Sequence, residues 1–312
     1  MVLGFGVWLI YANWVINLFI KILHKIRLML EVFKNTIRSW LSNTPLTYSA
    51  AAAYYAVFSL PGMLIIIISI TTFFLDEEMV RSQIQEYIGS FMGADAAETI
   101  QKIIDNARLS DTGPKTLIVG GGVLLFGATG FFAQLKNSFN AVWGVKPKPE
   151  KTIIRFLAYR GISLVVAVIF SLCVLMSMYI SAVIKVFSSW LVGHFPDLEF
   201  LTRLELAISF AIISLLFTII FKLLPDVKIK LTYAFVGGTM SSFLFLLGGL
   251  VFTKVLEIIA PQSVFGAAGS IIVLMIWVTY ACMILQLGAE FIKALIQRTE
   301  EEIKTSRFVV RH

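Results

Sequence analysis

Few residues in this chain could carry covalent chemistry, and their spacing suits none of the common reactions. The three histidines, His24, His194 and His312, fall on separate segments, and none has a second His or Cys at metal-ligand spacing. Neither HExxH nor a GxSxG elbow occurs. Cys173 and Cys282 lie inside apolar runs and form no CxxC pair. The acids Glu77-Glu78 and Glu300-Glu301-Glu302 sit in hydrophilic stretches and read as solvated faces. "GPKT" at 113–116 lacks the upstream glycine of a phosphate loop, and "VGGGVLL" lacks the last glycine of a dinucleotide fingerprint. The residues therefore imply no catalytic set, no metal site, no cofactor and no enzyme.

What remains is polar chemistry inside apolar runs. Tyr54, Tyr55, Ser59 and Pro61 interrupt one run, Gln134, Asn137 and Asn140 close another on one broad helical face, and Gln286 and Glu290 end a third. A polar group in hydrocarbon is costly and must face protein or water. These nine residues are the candidates for a cavity or substrate path. Glu290 ends the uncharged run 258–289, and Lys293, Arg155 or Arg160 could pair with it. Small residues form a second pattern. Gly237 and Ser241 are four apart, and Gly266 and Gly269 frame a knot of tiny side chains; such spacing lets helix backbones approach closely. Leu274, just beyond the knot, is expected to face lipid.

The elements that must position these residues are membrane helices. The chain of 312 residues is 58% hydrophobic and only 14% charged, too apolar for a soluble domain. Uncharged runs cover 39–75, 116–135, 161–184, 206–221, 231–253 and 258–289, and most reach the ~20 residues that a bilayer-spanning helix needs. The fold class is all-α: a polytopic helix bundle of six spans, within 46–75 and at about 116–142, 158–187, 204–223, 231–256 and 266–294. Pro61-Gly62 should kink or break the first span. The net charge of +7 reports topology rather than nucleic acid. Lys and Arg cluster in 21–38, 146–160 and 222–230, whereas 76–115 carries eight acids against four bases. Positive loops stay cytoplasmic, so both ends of a six-span bundle lie inside.

Residues 1–45 read as an N-terminal interfacial and basic amphipathic segment, with 1–20 either lying in the interface or forming a seventh span. The membrane domain is 46–295, with an external insert at 76–115 of two short amphipathic helices. The tail 296–312 reads as a cytoplasmic helix that frays.

"AAAAYYAVFSLPGML", "GATGFFAQLKNSFNAVWGVKPKP", "LPDVKIKLTYAFVGG" and "VFGAAGSIIVLMIWVTYACMILQLGAEF" resemble the YihY/BrkB family of bacterial inner-membrane proteins, over about 35 to 295 and in the family's order. The resemblance implies six spans, a multi-pass location in the cytoplasmic membrane with the C-terminus inside, and links to virulence, serum resistance and envelope lipid handling. An old ribonuclease label attached to the family lacks support in this chain, where no metal-ligand cluster is legible. The expected function is a transporter or translocator of a lipid or amphipathic anion. A non-transporting scaffold for envelope machinery is the alternative. The expected partners are membrane lipids and not nucleic acid; a homo-oligomer stays open without a feature to support it. Substrate, direction and driving force are not encoded in any motif.

Overall fold

The computed structural model describes residues 27–71, 76–92, 129–147, 199–259, 269–299 and 309–311, with scattered helical residues at 97–105 and 161–176. Residues 1–20, most of the third span and Gly266 lie outside the described residues, and the side chains of Ser59 and Pro61 do so as well.

Seven helices carry the description. Helix α1 covers 27–42. Thr44 follows with a positive φ of 47°, a left-handed break that separates α1 from α2, Pro45–Thr71. Proline suits the first turn of α2, where its missing N–H has no intrahelical partner to lose. The helix then runs through Pro61 and Gly62 without interruption, so the break expected there is not formed. Helix α3 is Glu77–Met92. It packs on the short helical segment near 97–105, where Ala97 is buried and Arg81 pairs with Asp105 at 2.5 Å. Beside it, the hydrogen bond and charge of Lys102 hold the exposed Glu98 carboxyl below its usual range.

Helix α4 covers 129–142, α5 is Glu199–Leu223, α6 is Leu231–Ile259 and α7 is Gly269–Arg298. Among the described residues, three segments are long and apolar enough to cross a membrane: Leu206–Leu223, Leu231–Phe252 and Ile271–Arg298. Their outward faces are apolar: Leu206, Leu215, Phe243, Leu247, Leu250 and Ile276 are all exposed. So large an exposed apolar surface belongs in lipid.

The core lies where α4, α5, α6 and α7 meet, around Phe132, Leu135, Phe139, Phe221, Leu285 and Ile292. Glycines set the helix spacing. A Cβ on Gly238 would lie 2.8 Å from both the Ser214 carbonyl oxygen and the Thr218 amide nitrogen of α5. A Cβ on Gly288 would lie 2.7 Å from Phe221 Cζ and strike Ser241 Oγ. The small face of α6 is thus divided: Gly238 meets α5, while Gly237 and Ser241 meet α7 at Ile292 and Gly288. Gly269 opens α7 and is buried. Leu274 does not face lipid: it is buried with Phe252 and Val273, against which Trp277 packs.

The fold also adds an element that an all-α reading omits. Gly144, at φ +61°, ends α4 in a left-handed turn. Strand β1, Val145–Pro147, then pairs antiparallel with β2, Val309–Arg311, matching Val145 with Arg311. Helix α7 stops at Arg298, and the described end of the tail is strand rather than fraying helix. The strand pair answers a simple need: Val145 is buried under the core, and its backbone polar groups require partners there.

Candidate polar site at one end of the bundle

Polar side chains gather at the end of the bundle where α1, the start of α2, the end of α4, the α5–α6 turn and the end of α7 meet. They form three hydrogen-bonded contacts.

The first is built on Glu290, which is 1% exposed. Ser39 Oγ donates to Oε2 at 2.7 Å, Asn43 Nδ2 donates to Oε1, and Lys293 Nζ stands 3.8 Å from Oε2. The preceding Gly288 and Ala289 admit the neighbouring helices, so the carboxylate is shielded from solvent. Lys293 also donates to the Val142 carbonyl at 2.7 Å. That places a cation on the last turn of α4, where the helix dipole is negative. Of the partners expected for Glu290, the structure supplies Lys293; Arg155 and Arg160 lie outside the described residues.

The second contact is one turn back on α7. Gln286 Nε2 donates to Ser49 Oγ at 2.9 Å, with both side chains buried. About one turn further back again, Trp40 Nε1 donates to the Met283 carbonyl at 3.2 Å. Helix α1 and the start of α2 are therefore fastened to α7 from Met283 to Glu290.

The third contact joins α4 to the α5–α6 turn. Lys136 Nζ lies 2.9 Å from Asp226 Oδ1, and the two side chains are 1% and 7% exposed. Asn140 Nδ2 donates to Asp226 Oδ2 at 2.8 Å, and Asn140 Oδ1 accepts the Asp226 amide at 3.0 Å. The i, i+4 spacing of Lys136 and Asn140 puts both on one face of α4, aimed at a single carboxylate. The turn itself is held by Lys222, whose ammonium donates to the Ile229 carbonyl.

The other candidates lie elsewhere. Gln134 is half-buried and Asn137 exposed, so the broad face expected for Gln134, Asn137 and Asn140 splits, with Asn140 turned inward. Tyr54 and Tyr55 are 54% and 39% exposed. Tyr54 packs on Tyr55 and Phe58 with ring centroids 5.6 and 4.9 Å away. Gly130 of α4 leaves room for the Tyr55 ring: a Cβ there would sit 3.0 Å from Cδ1. Sequence reasoning missed Ser39, Asn43, Ser49, Lys136 and Asp226. Two of these carried a signal: Asp226, as an acid in an otherwise basic loop, and Lys136, as a charge four residues before Asn140. Among the described residues, no group of three His, Cys, Asp or Glu is placed to hold a metal ion.

The relatives this chain resembles are named as membrane proteins, in keeping with the apolar helices described above. The chain is similar to the UPF0761 membrane protein of Saccharophagus degradans, with 23% identity over 85% of this chain and 60% of that protein. It spans less than two thirds of that relative. It is 28% identical to the UPF0761 membrane protein of Vibrio campbellii over 79% of this chain and 76% of that one. With the Glaesserella parasuis protein of the same name, 23% identity extends over 70% of this chain and 74% of the relative. No solved structure matches. The profile of the family described as "Virulence factor BrkB" matches residues 36–309, a range that holds every contact of the polar end just described, and the chain belongs to that family.

Proposed function

We propose that this protein is a translocator of an anionic, amphipathic lipid in the bacterial inner membrane, with 143–157, 223–230 and the C-terminus on the cytoplasmic side and 76–115 outside. The observation that carries the reading is the exposed polar face of α2 and α4. Tyr55 lies about ten residues, ~15 Å of helix, beyond Pro45, near the middle of a ~30 Å hydrocarbon core. Tyrosine belongs at the membrane interface. Two half-exposed tyrosines at mid-depth therefore call for a polar neighbour that lipid tails do not provide. Gly130, Gln134 and Asn137 follow one another at i, i+4 and i+7 on α4, so the face that meets Tyr55 continues as amide groups toward the charged end. A headgroup could pass along this stripe while its tails stay in lipid. Basic groups around 222–230 would draw anionic headgroups to its start. The reading assigns no bond-making chemistry and no cofactor.

The test is reconstitution into liposomes containing a trace of fluorescent phosphatidylglycerol, with dithionite quenching from outside. Wild-type protein is expected to speed exchange between leaflets, and Tyr55→Phe combined with Asn137→Leu to slow it about tenfold. Exchange no faster than with an unrelated helical bundle would overturn the proposal.

The scaffold reading has its own support. Asn140, Gln286, Glu290 and Asp226 all bond within the protein, as they would in a bundle built to hold one shape.

A further inference from the structure

Helix α1 has three faces. Val32 and Thr36 are buried, and Ser39 and Asn43 continue that face onto Glu290. With ~100° per residue, Met29, Leu30, Phe33, Ile37 and Leu41 share the adjoining sector. Four of these large apolar side chains are strongly exposed: Met29 at 55%, Leu30 at 64%, Phe33 at 49% and Leu41 at 62%. Arg27, Lys34 and Arg38 line the far border of that sector, all exposed; Arg27 also makes an i, i+4 pair with Glu31 at 3.5 Å.

Contacts with α7 orient these faces. Trp40 belongs to the apolar sector and reaches the Met283 carbonyl, whereas Ser39 and Asn43 reach Glu290. Met283 lies about two turns, ~10 Å, deeper in the bundle than Glu290. The apolar sector therefore points toward the membrane interior, and the basic border lies at headgroup height.

We propose that α1 is a lipid-binding lever: it lies in the leaflet at the charged end of the bundle, and anionic phospholipid headgroups on Lys34 and Arg38 hold it docked on Glu290 through Ser39 and Asn43. The apolar sector with a basic border is the pattern of an interfacial helix, and its charge selects anionic lipid over zwitterionic lipid. The leaflet is the cytoplasmic one in the orientation proposed above. Docking itself needs no transport, so it stands or falls apart from the translocator reading.

The experiment uses the full chain in nanodiscs, with alanine at Cys173 and Cys282 and single reporter cysteines at Leu30 or Asn35. The label at Leu30 is expected in the acyl region and that at Asn35 in water. Replacing phosphatidylcholine with phosphatidylglycerol mixtures is expected to slow amide exchange in α1, by roughly fivefold for each engaged basic group. The double variant Lys34→Gln, Arg38→Gln, on an exposed face, should fold and lose that lipid dependence. Water at both labels would overturn the proposal and leave the apolar sector to a soluble partner. Equal exchange in the two lipids would overturn it too. If inorganic phosphate slowed exchange in phosphatidylcholine discs, the basic border would be a soluble-anion site, and the lever would again be lost.

Discussion

Glu290 illustrates how a single side chain can be read two ways until its neighbours are known. Its carboxylate accepts from Ser39 and Asn43 at once. Glu290→Gln keeps an acceptor for Asn43, and its amide can donate to a rotated Ser39 hydroxyl, so mainly the Lys293 attraction is lost. Glu290→Ala strands both donors and leaves Lys293 only its bond to the Val142 carbonyl. Loss is expected at about 1 kcal/mol for the first and about 3 kcal/mol for the second, measured as the thermal midpoint of the monodisperse detergent peak. Equal midpoints would show that the carboxylate does not hold α1. Lys136 and Asp226 obey the same logic more strictly, because both are buried. Asp226→Ala is expected to cost about 3–5 kcal/mol, and the Lys136→Met, Asp226→Leu double variant clearly less, since removing both charges leaves none to desolvate. Additive losses in that cycle would rule out a coupled pair.

Helix contacts decide the element scale. A methyl on Gly238 meets backbone atoms of α5 that cannot move aside, whereas a Cβ on Gly249 would lie 3.6 Å from the Trp277 ring, an ordinary contact. Gly238→Ala should therefore destabilise the α5–α6 pair by about 1–3 kcal/mol, and Gly249→Ala should be neutral or stabilising by up to about 1 kcal/mol from helix propensity. Heat denaturation of the two variants side by side checks the contrast, and the reverse order would remove the close-packing account. Leu274→Ala empties space among Phe252, Val273 and Trp277, so a cost of about 2–5 kcal/mol is expected, where a lipid-facing leucine would have cost little. Tyr280 shows the same economy of space: its hydroxyl donates to the Leu244 and Phe245 carbonyls, both at 3.0 Å, where Gly248 has no side chain in the way.

For the whole molecule, charge placement sets the expected orientation. Cysteines placed singly at Lys148 and at Asp95 are expected to react with an impermeant maleimide from opposite sides of the membrane, with Lys148 inside, because the Lys and Arg excess of its loop resists translocation. Labelling from one side would overturn the six-span arrangement and with it the proposed direction of any lipid movement. The β1–β2 pair makes a second demand at this scale. It joins the turn after α4 to the chain end, so removing 300–312 should expose Val145 and loosen the end of α4, seen as faster amide exchange at 139–145 with little change in α5–α6.

Composition alone determined that this is a membrane helix protein, because an apolar fraction this high cannot be buried inside so short a chain, and charge placement suggested which loops share a side. The small-residue spacing marked Gly237 and Ser241 as contact points, since no other residues let helices in lipid come so close. Partner choice was not legible. That Glu290 bonds to Ser39 and Asn43, some 250 positions away, or that Lys136 and Asn140 meet at Asp226, depends on which helices become neighbours. Beyond Lys293, less than one turn from Glu290 on the same helix, the polar residues did not show their partners, because a hydrogen bond is local in space and not in sequence. For the same reason Asn137 and Asn140, three residues apart, parted ways: the rotation of α4 against the α5–α6 turn put one outside and the other within reach of a buried carboxylate. At Pro61 the helix continues instead of breaking, because a proline removes only one backbone bond and a long apolar helix can carry that loss. Val309–Arg311 forms a strand because β1 offered it an unpaired edge, and only the tertiary structure brought the two together.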